Sequence, residues 1–253
     1  MFKSRLKKTM VIFYSVFLIL VVSIIIMATM YISIDKKAST ATKSSPSIIN
    51  TSVETQKLTV DFSDWNATCD WNLVVLNSQN AIPKNYKLKL KPDKESQIDA
   101  RISSYLNDMI QDADAQGIKL WVSSGYRSNE RQKELFSNKV RKYMGQGYTR
   151  EESETLADTI VAKPGTSEHN LGLAVDLNGV RDDFCDTKEF AWLNENAANY
   201  GFILRYDNHK QKVTGKIYEP WHFRFVGQEH AKKMKEKDLC LEEYVSLLIS
   251  SQY

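Results

Sequence analysis

From Met10 to Ile34 the chain runs for 25 residues without a charged side chain. A helix needs about 20 apolar residues to cross the hydrocarbon core of a bilayer. Lys3, Arg5, Lys7 and Lys8 precede the run, and the positive-inside rule places such a basic flank in the cytoplasm. A cleaved signal has a shorter apolar core, about 7–15 residues, and ends at an A-x-A-like site; none stands out here. The expected organisation is a cytoplasmic segment (1–9), a transmembrane anchor (10–34) and an external remainder. Residues 35–57 are rich in Ser, Thr and Lys without apolar periodicity, as in a linker. The external domain is then 58–253.

Charge follows the same division. Residues 1–57 hold eight basic and two acidic side chains, against 26 and 29 in the remainder. A slightly acidic domain is a poor partner for nucleic acid. Three cysteines, Cys69, Cys185 and Cys240, are too few for a disulfide scaffold and lack the C-x-x-C spacing of a structural zinc knuckle. No heptad run demands a protein partner.

Within the domain, the apolar run 71–77 reads as a strand and 86–90 alternates weakly. Ile98, Ile102, Tyr105, Leu106, Met109 and Ala113 recur at helical spacing from Lys94 to near Gly117. A strand is expected over 118–122, and Ser128 can cap a helix reaching about Tyr143. Thr149 and Glu152 fit a capping box for a helix to about Ala162. Strands are expected over 171–178, 201–206 and 222–226, with a helix over 187–199 stopped by Gly201. The polar stretch from Asp207 reads as a loop, and 228–251 as one or two helices. No repeat or Gly-rich phosphate loop is present. The fold class expected is one α+β domain.

Asp176 lies in the otherwise apolar run LGLAVDL, and a buried carboxylate needs a cation or several hydrogen bonds. His169 and His222 would add two neutral donors, and three protein ligands with an open position make a catalytic zinc site. Pro220 disfavours helix at Glu219, so Glu219 and His222 share an extended turn. A carboxylate there is suited to act as general base. Each residue also has a plain structural role open to it. His169 could be a surface loop residue, Asp176 the outward residue of a half-exposed strand, and Glu219 a turn cap or a partner of Arg224. His209 and His230 read as surface residues.

Ser-Gly-Tyr-Arg-Ser (124–128), Ser-x-His-x-x-Gly-x-Ala-x-Asp (167–176) and Glu-Pro-Trp-His-x-Arg (219–224) occur in that order. Together they resemble the zinc D-alanyl-D-alanine carboxypeptidases of the VanY type, relatives of the VanX and LdcB-like metallopeptidases, over roughly 70–235. The resemblance implies a small antiparallel sheet flanked by helices, as in Hedgehog and D,D-peptidase domains. It implies one Zn²⁺ held by His169, Asp176 and His222, with Glu219 as catalytic base and proton shuttle. Arg127 would polarise or hold substrate oxygens; Gln132, Ser167 and Tyr206 would contact substrate. The implied substrate is the peptidoglycan stem pentapeptide ending in D-Ala-D-Ala, with a link to glycopeptide resistance. One departure is Lys216, where several relatives carry Tyr. L,D-carboxypeptidase or stem-peptide endopeptidase chemistry would use the same zinc set. A zinc-containing cell-wall-binding module would need neither Glu219 nor Arg127, and an anchored sensor would need no zinc.

Overall fold

The computed structural model describes residues 61–92 and 97–251. The expected anchor, the linker and residues 58–60 lie outside the described residues. Among those described, no helix is long and apolar enough to cross a membrane.

The centre is a four-stranded antiparallel sheet. Its strands are β3 (Val122–Ser124), β4 (Ala174–Leu177), β5 (Phe202–Leu204) and β6 (His222–Phe225), in the order β3-β4-β6-β5. A two-stranded ribbon, β1 (Leu90–Pro92) and β2 (Gln97–Asp99), stands apart. The helices are α1 (Ser63–Thr68), α2 (Ser103–Ala115), α3 (Asn129–Met144), α4 (Arg150–Asp158), α5 (Lys188–Asn196), α6 (Gln211–Thr214), α7 (Gln228–Lys237) and α8 (Leu241–Ser250). The α+β class and the small antiparallel sheet are as expected.

Strand alternation divides the central sheet into two chemistries. Val175, Leu177, Phe223 and Phe225 join Ile98, Ile102, Leu106 and Met109 in the main apolar core. Asp176 and His222 are directly opposed across β4 and β6, as are Ala174 and Arg224, so their side chains share the other face. All four residues of β4 are buried, so Asp176 is not the outward residue of a half-exposed strand. A second apolar cluster joins Leu73, Val75, Ile203 and Val226 to Met234, Leu241, Tyr244 and Val245.

Several local readings shift. Residues 73–76 of the run 71–77 are buried, but the run forms no strand, because side chains take its backbone groups. Asn66 bonds both Val75 N and O, and Arg224 Nη2 donates to the carbonyls of Asn72 and Val74. The helical period seen from Lys94 yields a strand first. The Asp99 carboxylate accepts from Arg101 N and Lys89 N, which ends β2 in a 3₁₀ turn (Ala100–Ile102) before α2 begins. The first strand of the sheet begins at Val122, where 118–122 was expected, and the expected loop after Asp207 contains a 3₁₀ turn and α6. The capping box of Thr149 and Glu152 is present.

The glycine of the second motif has a geometric reason. Gly172 has φ +68°, and a Cβ there would lie 2.8 Å from Asp99 N, whose hydrogen is donated to Gly172 O at 2.9 Å. Gly172→Ala meets both a left-handed backbone and a backbone clash. It is expected to cost about 1–3 kcal/mol or more, read as a lowered urea midpoint with unchanged slope.

Candidate metal centre and active site

Three elements deliver the three candidate ligands. The register of β4 against β6 sets Asp176 beside His222. His169 comes from the 3₁₀ turn Glu168–Leu171 that leads into β4. That turn is tied to the loop after β3, since Arg127 N donates to His169 O and Asn170 Nδ2 donates to Arg127 O. Ser128 then caps α3 by accepting from Arg131 N, which fixes the loop carrying Arg127 from its other end.

Among the described residues, His169, Asp176 and His222 form a group with one ligand atom each, all within 4.8 Å of one another. Asp176 Oδ1 lies 3.3 Å from His169 Nε2 and 3.2 Å from His222 Nδ1. It is buried and has no hydrogen-bond partner, a costly state for a carboxylate oxygen. His169 Nδ1 lies 2.6 Å from Gly125 O, so that nitrogen carries the proton, and the Nε2 lone pair faces the Arg127 Nη2 donor at 3.0 Å, with Asp176 Oδ1 beside it at 3.3 Å. Two imidazole nitrogens and an orphaned carboxylate oxygen converging in a buried site fit a divalent cation of the zinc type.

The surrounding charges act strongly on these groups. Burial favours a neutral Asp176, but His169 and His222 hold its carboxyl well below the usual range. Burial, assisted by the Arg127 guanidinium, pushes His169 down to about 4. Burial also opposes charge on His222, yet the Asp176 and Glu168 carboxylates carry it up to about 9.

Glu219 reaches the group from the turn before β6. Its N–H donates to Tyr206 O, and its carbonyl accepts from His222 N. Its carboxylate Oε2 lies 3.5 Å from His222 Nδ1. Burial, with the Asp176 charge, raises Glu219 to about 7. That is the range in which a carboxylate both takes and returns protons efficiently near neutral pH. It does not pair with Arg224, whose Nη1 instead donates to Glu168 Oε1 at 2.7 Å.

The group opens onto a cleft of about 530 Å³, lined in part by Arg127, Gln132, Ser167, Tyr206 and Lys216. All the residues singled out from the sequence therefore share one site. Arg127 is held by Ser124 Oγ and donates to Asp176 Oδ2 at 2.6 Å. Gln132 lines the cleft beside Arg127, whose Nη1 donates to Gln132 Oε1 at 3.4 Å. Gln132 is 1% exposed, and its Nε2 donates to Ala162 O. The Tyr206 ring packs on His222, with centroids 4.8 Å apart. Lys216 is buried in the cleft wall, and its ammonium donates to the carbonyl and the carboxylate of Asp158. The residues that sequence reading passed over are Glu168 and Arg205. Both are buried and ion-paired at 2.7 Å; a charged residue beside His169 in the second motif was the available signal. His209 is exposed as expected, whereas His230 is partly buried against the Tyr244 hydroxyl. The thiols of Cys69, Cys185 and Cys240 are free.

Known proteins resemble this chain in sequence and fold. A family model described as "VanY: D-alanyl-D-alanine carboxypeptidase" matches residues 95–228. A D-alanyl-D-alanine carboxypeptidase of Enterococcus faecalis (strain ATCC 700802 / V583) is 44% identical over 178 residues, covering 70% of this chain and 66% of the relative. The chain thus spans just under two thirds of that protein. A mutant of the vancomycin resistance D,D-pentapeptidase VanY from a VanB-type cassette, in complex with Zn(II), matches with TM-score 0.64 and 45% identity. That match covers 70% of this chain and 99% of the solved one. VanYB in complex with D-alanine-D-alanine matches with TM-score 0.65 and 45% identity over 70% and 98% of the two chains. With its motifs set in this geometry, the chain belongs to the VanY family of D-alanyl-D-alanine carboxypeptidases.

Proposed function

We propose that this chain is a zinc-dependent D,D-carboxypeptidase that removes the terminal D-Ala from peptidoglycan stem pentapeptides. The observation that carries the reading is the convergence of His169, Asp176, His222 and Glu219 in the floor of one cleft. His169 Nε2, Asp176 Oδ1 and His222 Nδ1 would hold the metal. Bound zinc acts as a Lewis acid on the carbonyl and lowers the pKa of water to about 7.

The chain's own groups then divide the work. Glu219 takes the proton from the attacking water and returns it to the departing amine. Arg127 faces the same cleft and stabilises the negative charge that develops on the scissile carbonyl oxygen. Tyr206, Ser167 and Gln132 line the cleft and contact the peptide that lies there. Lys216, bound to Asp158, shapes the cleft wall. The apolar run 10–34 anchors the protein, and residues 35–57 tether the domain 58–253 outside the cell, where stem peptides are met. Removing the terminal D-Ala there would lower the number of D-Ala-D-Ala ends that a glycopeptide can bind.

The test is release of free D-alanine by the full chain, loaded with zinc, from a stem pentapeptide ending in D-Ala-D-Ala. Release abolished by a chelator and restored by zinc is the expected result. A folded, zinc-loaded protein that releases D-alanine only from tetrapeptide would replace this reading with an L,D-carboxypeptidase.

A further inference from the structure

Behind the candidate metal ligands, away from the cleft, lies a closed set of charges that the chemistry above does not use. Glu168, Arg205 and Arg224 have side chains with no exposure. Glu168 Oε1 accepts from Arg205 Nε and from Arg224 Nη1, both at 2.7 Å. Arg205 is gripped from its other edge by Glu242 of α8, through two hydrogen bonds of 2.8 and 2.6 Å. Glu242 lies beyond residue 228, where the family match ends.

The second oxygen of Glu168 is the informative atom. Oε2 is buried and has no hydrogen-bond partner, and the same is true of His222 Nε2. The two orphans face each other at 3.5 Å. The opposite ring nitrogen, Nδ1, faces Asp176 Oδ1 at 3.2 Å. The ring of His222 is therefore held between a carboxylate behind it and the ligand cluster in front. His169 is backed differently, by the neutral carbonyl of Gly125.

We propose that Glu168 is the positioning residue of the metal centre: it accepts the Nε2 proton of His222, which commits Nδ1 to the metal. The inference rests on the zinc reading above. Its physical basis is general, because a metal-bound imidazole gains orientation and basicity when its other N–H meets a carboxylate. A ring nitrogen without that partner is free to carry its proton on either side. Arg205 and Arg224 saturate Oε1 and so reserve Oε2 for His222. Through Arg205 and Glu242, α8 braces the ligand set from the rear.

Glu168→Gln is the discriminating substitution. The two arginine donors claim the one amide carbonyl, which leaves the amide NH₂ facing His222 Nε2, donor against donor. Zinc affinity, measured on the full chain by chelator competition, is expected to fall about 10- to 100-fold. Glu242→Gln disturbs the same charge chain without touching His222 and is expected to lower stability while changing zinc affinity less than about threefold, well below the loss that an outer-shell ligand partner produces. Unchanged affinity in Glu168→Gln, or an equal loss in both variants, would overturn the proposal and leave the zinc reading standing. A wild-type chain that binds no zinc would remove both. Should Glu168→Gln not fold, long-range ¹H–¹⁵N correlation of the zinc-loaded wild type decides, as the chain has only four histidines. His222 protonated at Nε2 supports the proposal; protonation at Nδ1 overturns it.

Discussion

Replacing Glu219 by Gln is expected to lower turnover of a D-Ala-D-Ala peptide by about 10²- to 10⁴-fold, with zinc still bound. Glu219 stands next to the candidate ligands without joining the group formed by His169, Asp176 and His222. Its carboxylate sits 3.5 Å from His222 Nδ1, and burial raises it to about 7. Gln has the same shape and keeps a carbonyl oxygen, but it cannot take up a proton. The variant separates holding the metal from moving the proton. Zinc stoichiometry equal to wild type, with D-alanine release lost, supports the base role. Full turnover would remove Glu219 from the chemistry, and loss of zinc together with activity would make it a ligand instead.

The candidate site was legible in the sequence because its chemistry is concentrated in short segments. Asp176 in an apolar strand and His222 in an extended turn carried information about burial and backbone that their neighbours made readable. Strand periodicity did not show that β4 and β6 lie side by side with Asp176 opposite His222; that register is a long-range fact, and it builds the site. Glu168 and Arg205 were missed because a Glu in a loop and an Arg after a strand are ordinarily solvated, and their pairing across 37 residues leaves no local pattern. The stretch 71–77 misled for a related reason. Its apolar side chains from Leu73 to Leu76 are buried as in a strand, but Asn66 and Arg224 complete its backbone hydrogen bonds. A polar side chain in place of a neighbouring strand is invisible to periodicity.

Arg224 is where fold and site depend on the same atoms, and Arg224→Met is expected to cost about 3–5 kcal/mol of stability. The guanidinium is wholly buried and donates to Glu168 Oε1, Phe225 O, Asn72 O and Val74 O. Met fills much of the same volume, so the loss is electrostatic more than steric. It leaves Glu168 charged and buried with Arg205 as its remaining guanidinium partner. It also leaves three carbonyls without that donor, each worth about 1 kcal/mol or more when buried and unsatisfied. The contrast is Lys233→Ala, which breaks an ion pair to Glu229 whose side chains are 49% and 76% exposed. An exposed i,i+4 pair of that kind contributes about 0.3–0.5 kcal/mol. Urea unfolding of the two variants beside wild type measures the difference. If Arg224→Met unfolded within about 1 kcal/mol of wild type, the surroundings must relax enough to rehydrate Glu168. The buried charges would then be dispensable for the fold. Near-equal midpoints for the two variants would carry the same meaning. The expected wide gap would show that the 72–75 backbone and the strand bearing His222 are held by one side chain, so that damage to the fold here is also damage to the site.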